Sequence, residues 1–119
     1  MVLQGLVGGV RFLFLSDLGP AGQAALLERG RLEQGGIVVA GLPSRGEPLR
    51  DELIEAVRPE LIVVADADWP MRERAGEALR ERLAKWGARV LYTSDIGTVT
   101  LRMKNGQWQV RTMNSGLTR

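Results

Sequence analysis

Three short apolar runs dominate the chain: "VRFLFLS", "GGIVVAG" and "LIVVADAD". Each is followed within seven residues by a proline placed to start a helix, Pro20, Pro48 and Pro70 respectively. Continuous apolar runs of this length, the first broken only by Arg11, suit strands covered on both faces, because a strand with one wet face alternates instead. Proline suits the first turn of a helix, where its missing N–H has no intrahelical partner to lose. Strand and helix therefore alternate, and that order calls for a sheet with parallel strands layered against helices.

The first run is preceded by a short strand at 2–6 and a Gly8–Gly9 turn. The strand proper is expected over 10–15. The Gly19–Pro20 helix carries Ala24, Leu27 and Leu26 inward and stops at Gly30, since glycine enters the left-handed region at little cost. A buried strand follows at 37–40. The next helix begins at Pro48, places Leu49, Leu53, Ile54 and Val57 on one face, and ends at Pro59. A third buried strand spans 61–65. The longest helix is expected from Pro70, lined by Met71, Ala75, Ala78, Leu79, Leu83 and Trp86 and stopped by Gly87; "ARVLYT" then gives a fourth strand.

The end of the chain has a different grammar. "TVTLRMKNGQWQVRT" alternates strictly about Asn105–Gly106, the preferred pair for a two-residue type I′ turn. That turn sets Met103 against Trp108 and Leu101 against Val110. Val99, Leu101, Met103, Trp108 and Val110 then share an inner face, with Arg102, Lys104, Gln109 and Arg111 outside. The final "NSGLTR" reads as frayed. The whole, residues 1–119, reads as one α/β domain: a layered mixed sheet with flanking helices.

Composition limits the chemistry. The 119 residues carry 16 Lys and Arg against 14 Asp and Glu, a net charge of +2. So small an excess is weak evidence for nucleic-acid binding by itself. Cysteine and histidine are both absent. Thiolate chemistry, disulfides and Cys-based zinc sites are excluded, and so is the usual general base near neutral pH. Zinc is not expected; any metal would be a hard cation such as magnesium or manganese held by oxygen. Ser16 and Ser44 have no histidine to activate them. The glycines around 37–40 lack the order that dinucleotide binding needs. No apolar run reaches the roughly 20 residues of a membrane helix, and the start lacks the basic region of a signal peptide, so the chain reads as soluble.

The remaining candidates are acids and one loop. Asp17, Asp66 and Asp68 fall at the C-terminal ends of expected strands, the edge where open α/β sheets bind ligands. Together they could hold magnesium or manganese and assist phosphoester hydrolysis. Each could instead cap a helix, since aspartate is a favoured N-cap worth about 1 kcal/mol. For Asp68 the cap is favoured; for Asp17 the two readings stand level. "GLPSRGEP" offers Ser44, Arg45 and backbone N–H groups as an anion-binding loop, against the plainer reading of a connection. The charges from Arg72 to Lys85 interleave in sign and read as a solvated helix face.

These segments carry a resemblance. "VRFLFLSDLGPAGQAALLERG" resembles the part of metallo-β-lactamase-fold hydrolases that runs apolar strand, Thr-Gly-Asp, helix. "DELIEAVRPELIVVADAD" and "LRERLAKWGARVLYTSDIGTVTLRM" are similar, in order and spacing, to the C-terminal hydrolase-like domain of ComEC-type bacterial competence proteins, which serve DNA uptake. The resemblance covers nearly the whole chain but only the second half of that αββα fold. It implies that Asp17 stands where the family has a metal-bridging aspartate. It also implies that Leu15 and Ser16 replace threonine and glycine, that Gly41 and Leu42 replace the histidines of a His-His-Gly-Ser loop, and that "DADWPMRERAG" replaces a loop carrying a further histidine. The first half, with its His-x-His-x-Asp-His motif, has no counterpart in these residues. The expected function is that of a degenerate, non-catalytic domain of a DNA-uptake protein, with a structural or DNA-contacting role and a vestigial ligand at Asp17. The family is anchored in the bacterial inner membrane. Two alternatives remain: a magnesium- or manganese-dependent phosphoester hydrolase of the phosphodiesterase or nuclease type, and a stand-alone α/β binding module. A half-fold leaves an apolar sheet face to be covered, by a missing first half or by a homodimer.

Overall fold

The computed structural model describes residues 2–29, 31–43, 46–67, 74–112 and 117–118. Strand β1 (Leu3–Val7) turns at Gly8–Gly9 into β2 (Val10–Ser16). Helix α1 (Pro20–Arg29), strand β3 (Ile37–Gly41), helix α2 (Asp51–Val57), strand β4 (Leu61–Ala65), helix α3 (Glu77–Ala84) and strand β5 (Arg89–Tyr92) follow. A single turn, α4 (Thr93–Ile96), leads to β6 (Val99–Lys104), β7 (Gln107–Thr112) and β8 (Leu117–Thr118).

The first sheet has the order β1-β2-β3-β4-β5, antiparallel at β1–β2 and parallel thereafter. This is the expected layered α/β fold with a mixed sheet. Right-handed crossovers between parallel strands laid down in sequential order put every crossover helix on the same face. The packing agrees. Leu13, Leu15, Val38, Ala40, Ile62 and Val64 face Leu53, Ile54 and Val57 of α2 and Leu79 and Leu83 of α3 in one core. The opposite face, with Val10, Ile37, Leu61 and Val63, is covered by Trp108 and Val110 of the second sheet, β6-β7-β8. The layers run helices, five-stranded sheet, three-stranded sheet.

The terminal hairpin has the expected register, with Met103 opposite Trp108 and Leu101 opposite Val110. Asn105 and Gly106 both have positive φ, as a type I′ turn requires. Its tip rests on the first hairpin: Gly106 N–H donates to Gly8 O at 2.8 Å, and a Cβ on Gly8 would lie 2.0 Å from Met103 O.

Several expectations need correcting. In α1 it is Gln23 that is fully buried, while Ala24 is exposed. Helix α2 begins at Asp51, not Pro48, because Leu49 sits at φ 52°, outside helical geometry. Leu49 is nevertheless buried, as are Leu53, Ile54 and Val57. Helix α3 is shorter than expected: Gly76, at φ −76° and ψ 168°, is its N-cap, so the helix starts at Glu77 and Ala78 is exposed. Pro70 and Met71 lie outside the described residues, as does Gly30. Leu117–Thr118, expected to fray, pairs with β7. Among the described residues no helix is long and apolar enough to cross a membrane.

Candidate functional site

The acids at the strand ends do not form one group. Strand β3 separates β2 from β4, so the ends that carry Asp17 and Asp66 stand about 10 Å apart, two strand spacings. The strand order also never reverses, so the sheet has no topological switch point of the kind at which open α/β sheets bind ligands.

Asp17 lies in the turn after β2, exposed, and takes no hydrogen bond or ion pair from any other described residue. It is not the cap of α1, which begins three residues later at Pro20. The backbone just before it is irregular. Ser16 has φ 54°, and the β2–β3 register slips between Phe14 and Ser16, which turns the chain out of the sheet.

Asp66 is the opposite case. Its side chain is fully buried, and its carboxylate accepts three hydrogen bonds. Oδ2 accepts from the Ala75 N–H at 2.7 Å and from the Ser94 hydroxyl at 2.7 Å, and Oδ1 accepts from the Ser94 N–H at 2.9 Å. Arg80 adds a guanidinium 3.8 Å away. The Asp66 backbone is held as well: its N–H donates to Thr93 Oγ1 at 3.0 Å, and that hydroxyl donates to Asp66 O at 2.7 Å. A buried carboxylate costs several kcal/mol unless it is bonded in this way. Asp66 therefore ties the segment before α3 and the turn α4 to the end of β4.

Arg80 closes the outer side of the knot. Its guanidinium donates to Asp95 at 2.7 and 3.3 Å and to Ala75 O at 2.9 Å, and it lies 4.0 Å over the Tyr92 ring. Arg74 also reaches Asp95, at 3.2 Å. Hydrogen bonds from Arg80 hold the Asp95 carboxyl below the usual carboxylate value; burial raises it, and Arg74 lowers it further. Burial pushes the Tyr92 phenol up. Arginine does not exchange protons in the physiological range, so these groups offer neither a ready base nor a ready acid.

Sequence reasoning missed two polar anchors on the helical face. Gln23 Nε2 donates to Leu18 O and Glu47 O, both at 2.9 Å, and its Oε1 accepts from the Arg50 N–H at 2.7 Å. Arg82 donates to Leu49 O at 2.6 Å, Pro48 O at 2.8 Å and Asp51 Oδ1 at 3.0 Å. Gln23 stands three and four residues before Leu26 and Leu27, so helical spacing alone marked it as inward-facing. Arg82 carried no such mark, because its partners, two backbone carbonyls and the Asp51 carboxylate, lie more than 30 residues away in the chain.

Asp68, Ser44 and Arg45 lie outside the described residues. Among the described residues no group of three or more His, Cys, Asp or Glu is placed to hold a metal ion. Leu42, where the resemblance expects a histidine, packs against the helix-side core. No family model, curated protein or solved structure matches the chain.

Proposed function

We propose that this chain is a non-catalytic metallo-β-lactamase-like module of a DNA-uptake protein, with a structural or DNA-contacting role. The observation that carries the reading is the state of Asp66. Its carboxylate oxygens accept three hydrogen bonds from Ala75 and Ser94 within a buried knot, and its side chain is closed off from solvent. Asp17, its would-be partner, has no partner among the described residues, and the chain has no histidine or cysteine to share a metal with it. The layering supports the family likeness: helices, sheet and sheet are three of the four layers of an αββα sandwich. The test is hydrolysis of bis(p-nitrophenyl) phosphate and of plasmid DNA by the purified chain with magnesium, manganese or zinc. The reading predicts no turnover above buffer. Metal-dependent turnover that Asp17→Asn abolishes would establish the hydrolase instead.

A second reading, a module that dimerises, is favoured by strand β1. It is an edge strand without a charged residue, and Leu3, Leu6 and Val7 on it are 50%, 64% and 44% exposed. Phe14 beside Leu3 is exposed too. Val7 and Val10 flank a two-residue turn and form a hydrogen-bonded pair, so Gln4 and Leu6 direct their backbone groups outward. A second copy centred on Gly5 would pair residue 3 with 7 and residue 4 with 6. Such uncharged edges are templates for strand pairing. Light scattering tests this: a dimer that Leu6→Lys converts to monomer supports it, and a monomer at high micromolar concentration refutes it.

A further inference from the structure

Of the chain's 16 Lys and Arg and 14 Asp and Glu, residues 96–119 hold four cations and no acid, which leaves 12 cations against 14 acids before them. The chain is thus net acidic up to α4 and wholly cationic after it. The described cations of that segment converge on one surface. Alternation sends Val99, Leu101, Met103, Trp108 and Val110 into the core. Thr100, Arg102 and Lys104 of β6 and Gln107, Gln109 and Arg111 of β7 then form the exposed outer face.

Register fixes their layout. Arg102 pairs with Gln109, Lys104 with Gln107 and Thr100 with Arg111. Arg102 and Lys104 stand about 6.8 Å apart along their strand. Arg111 is the diagonal neighbour of Arg102, about 7–8 Å away. None of the three forms an ion pair with any described residue, in contrast to Arg11, Arg50, Arg74, Arg80 and Arg82. Arg102, Lys104, Asn105, Gln107 and Gln109 line an open depression of about 230 Å³.

We propose that this outer face binds the phosphate backbone of double-stranded nucleic acid. Successive phosphates on one duplex strand rise about 3.4 Å along the axis and wind around it, which sets neighbours roughly 7 Å apart, in step with cations about 6.8 Å apart. The amide N–H groups of Asn105, Gln107 and Gln109 supply further donors of the kind that position a protein on phosphates without reading sequence. Single-stranded binders instead stack bases on aromatic side chains. The described outer face has no aromatic residue, since Trp108 points into the core. The duplex backbone is therefore the matching ligand, and contact is independent of sequence.

The inference rests on the DNA-contacting reading above and locates its surface. Fluorescence anisotropy of the full chain with a labelled mixed-sequence duplex tests it. Three phosphate contacts predict a log–log salt slope near −2.7, or roughly a 40-fold loss of affinity from 50 to 200 mM salt. The R102Q/K104Q/R111Q variant, folded by circular dichroism, should lose at least about tenfold at 50 mM and most of that slope; Arg29→Gln on α1 should change little. Duplex binding left intact in the triple variant overturns this surface but spares the DNA-contacting reading. No duplex binding by the wild-type chain, including the case in which it binds phosphatidylglycerol vesicles instead, overturns both. Tighter binding of oligo(dT) than of duplex overturns the assignment to a duplex backbone.

Discussion

At the scale of single residues, buried polar groups decide more than the exposed acids do. Replacing Gln23 by Leu strands the Arg50 N–H and the carbonyls of Leu18 and Glu47. Each unsatisfied buried group costs about 1–3 kcal/mol, so a loss of about 3 kcal/mol in urea denaturation is expected. Asp66→Asn should cost about 2–3 kcal/mol, because an amide cannot accept from Ala75 and Ser94 with both its heads. Asp17→Asn should stay within about 0.5 kcal/mol, as a surface change away from any partner does. An equal cost at the two positions would contradict a solitary Asp17 and an anchoring Asp66. Acid dependence follows from Asp95 and Asp51. Arg80 hydrogen bonds lower the first, and Arg82 and Trp86 hydrogen bonds lower the second, each from 3.8. Their folded values lie below their unfolded ones, so the unfolded chain binds more protons in that interval. The stability these pairs contribute is in place above about pH 4 and is lost as the pH falls through the folded values. Melting temperatures between pH 6 and pH 2 check this: Asp95→Asn should flatten the acid limb and leave the neutral plateau with little pH dependence.

At the scale of elements, legibility followed the locality of the signal. The strands at 61–65 and 37–40, the buried face of α2 and the register of the terminal hairpin were all visible in the sequence, because each rests on a short periodic pattern or a turn pair. The start of α3 was not. The run from Pro70 to Trp86 keeps helical spacing, but the Ala75 N–H is taken by Asp66, nine residues earlier, and Gly76 becomes the cap. A tertiary hydrogen bond overrode local propensity. Turn α4 was missed for a similar reason, since Thr93 and Ser94 bond to Asp66 from across the sheet edge. The site was half legible: the positions of Asp17 and Asp66 at strand ends could be read, but not that one has no partner among the described residues and the other is buried and bonded three times. Packing between the two hairpins makes a further prediction. Gly8→Ala drives a Cβ into Met103 O and should cost more than about 2 kcal/mol. Gly76→Ser meets open space and supplies a capping oxygen to α3, so it should stabilise by a few tenths of a kcal/mol. Chemical denaturation of the two variants separates the effects, and a tolerated Gly8→Ala would mean the hairpins do not pack this closely.

At the scale of the whole molecule, three features act together: one layer of helices, a sheet covered on both faces, and a charge distribution that leaves the outermost sheet cationic. The sequential strand order builds a core without a topological switch point, and Asp66, Gln23 and Arg82 tie described loop segments to it. On the reading proposed above, function would sit on the surfaces, at the basic sheet and the β1 edge. The central claim is that Asp66 anchors the fold and that Asp17 holds no metal. Thermal unfolding of the wild-type chain and of Asp17→Asn, with and without magnesium, manganese or zinc, tests it most directly. A metal held at a hundred times its dissociation constant stabilises by about 2.7 kcal/mol, which for a domain of this size raises the melting temperature by roughly 10 °C. Melting temperatures unchanged by millimolar metal are expected in both proteins. A saturable rise in the wild-type chain that Asp17→Asn removes would contradict the claim.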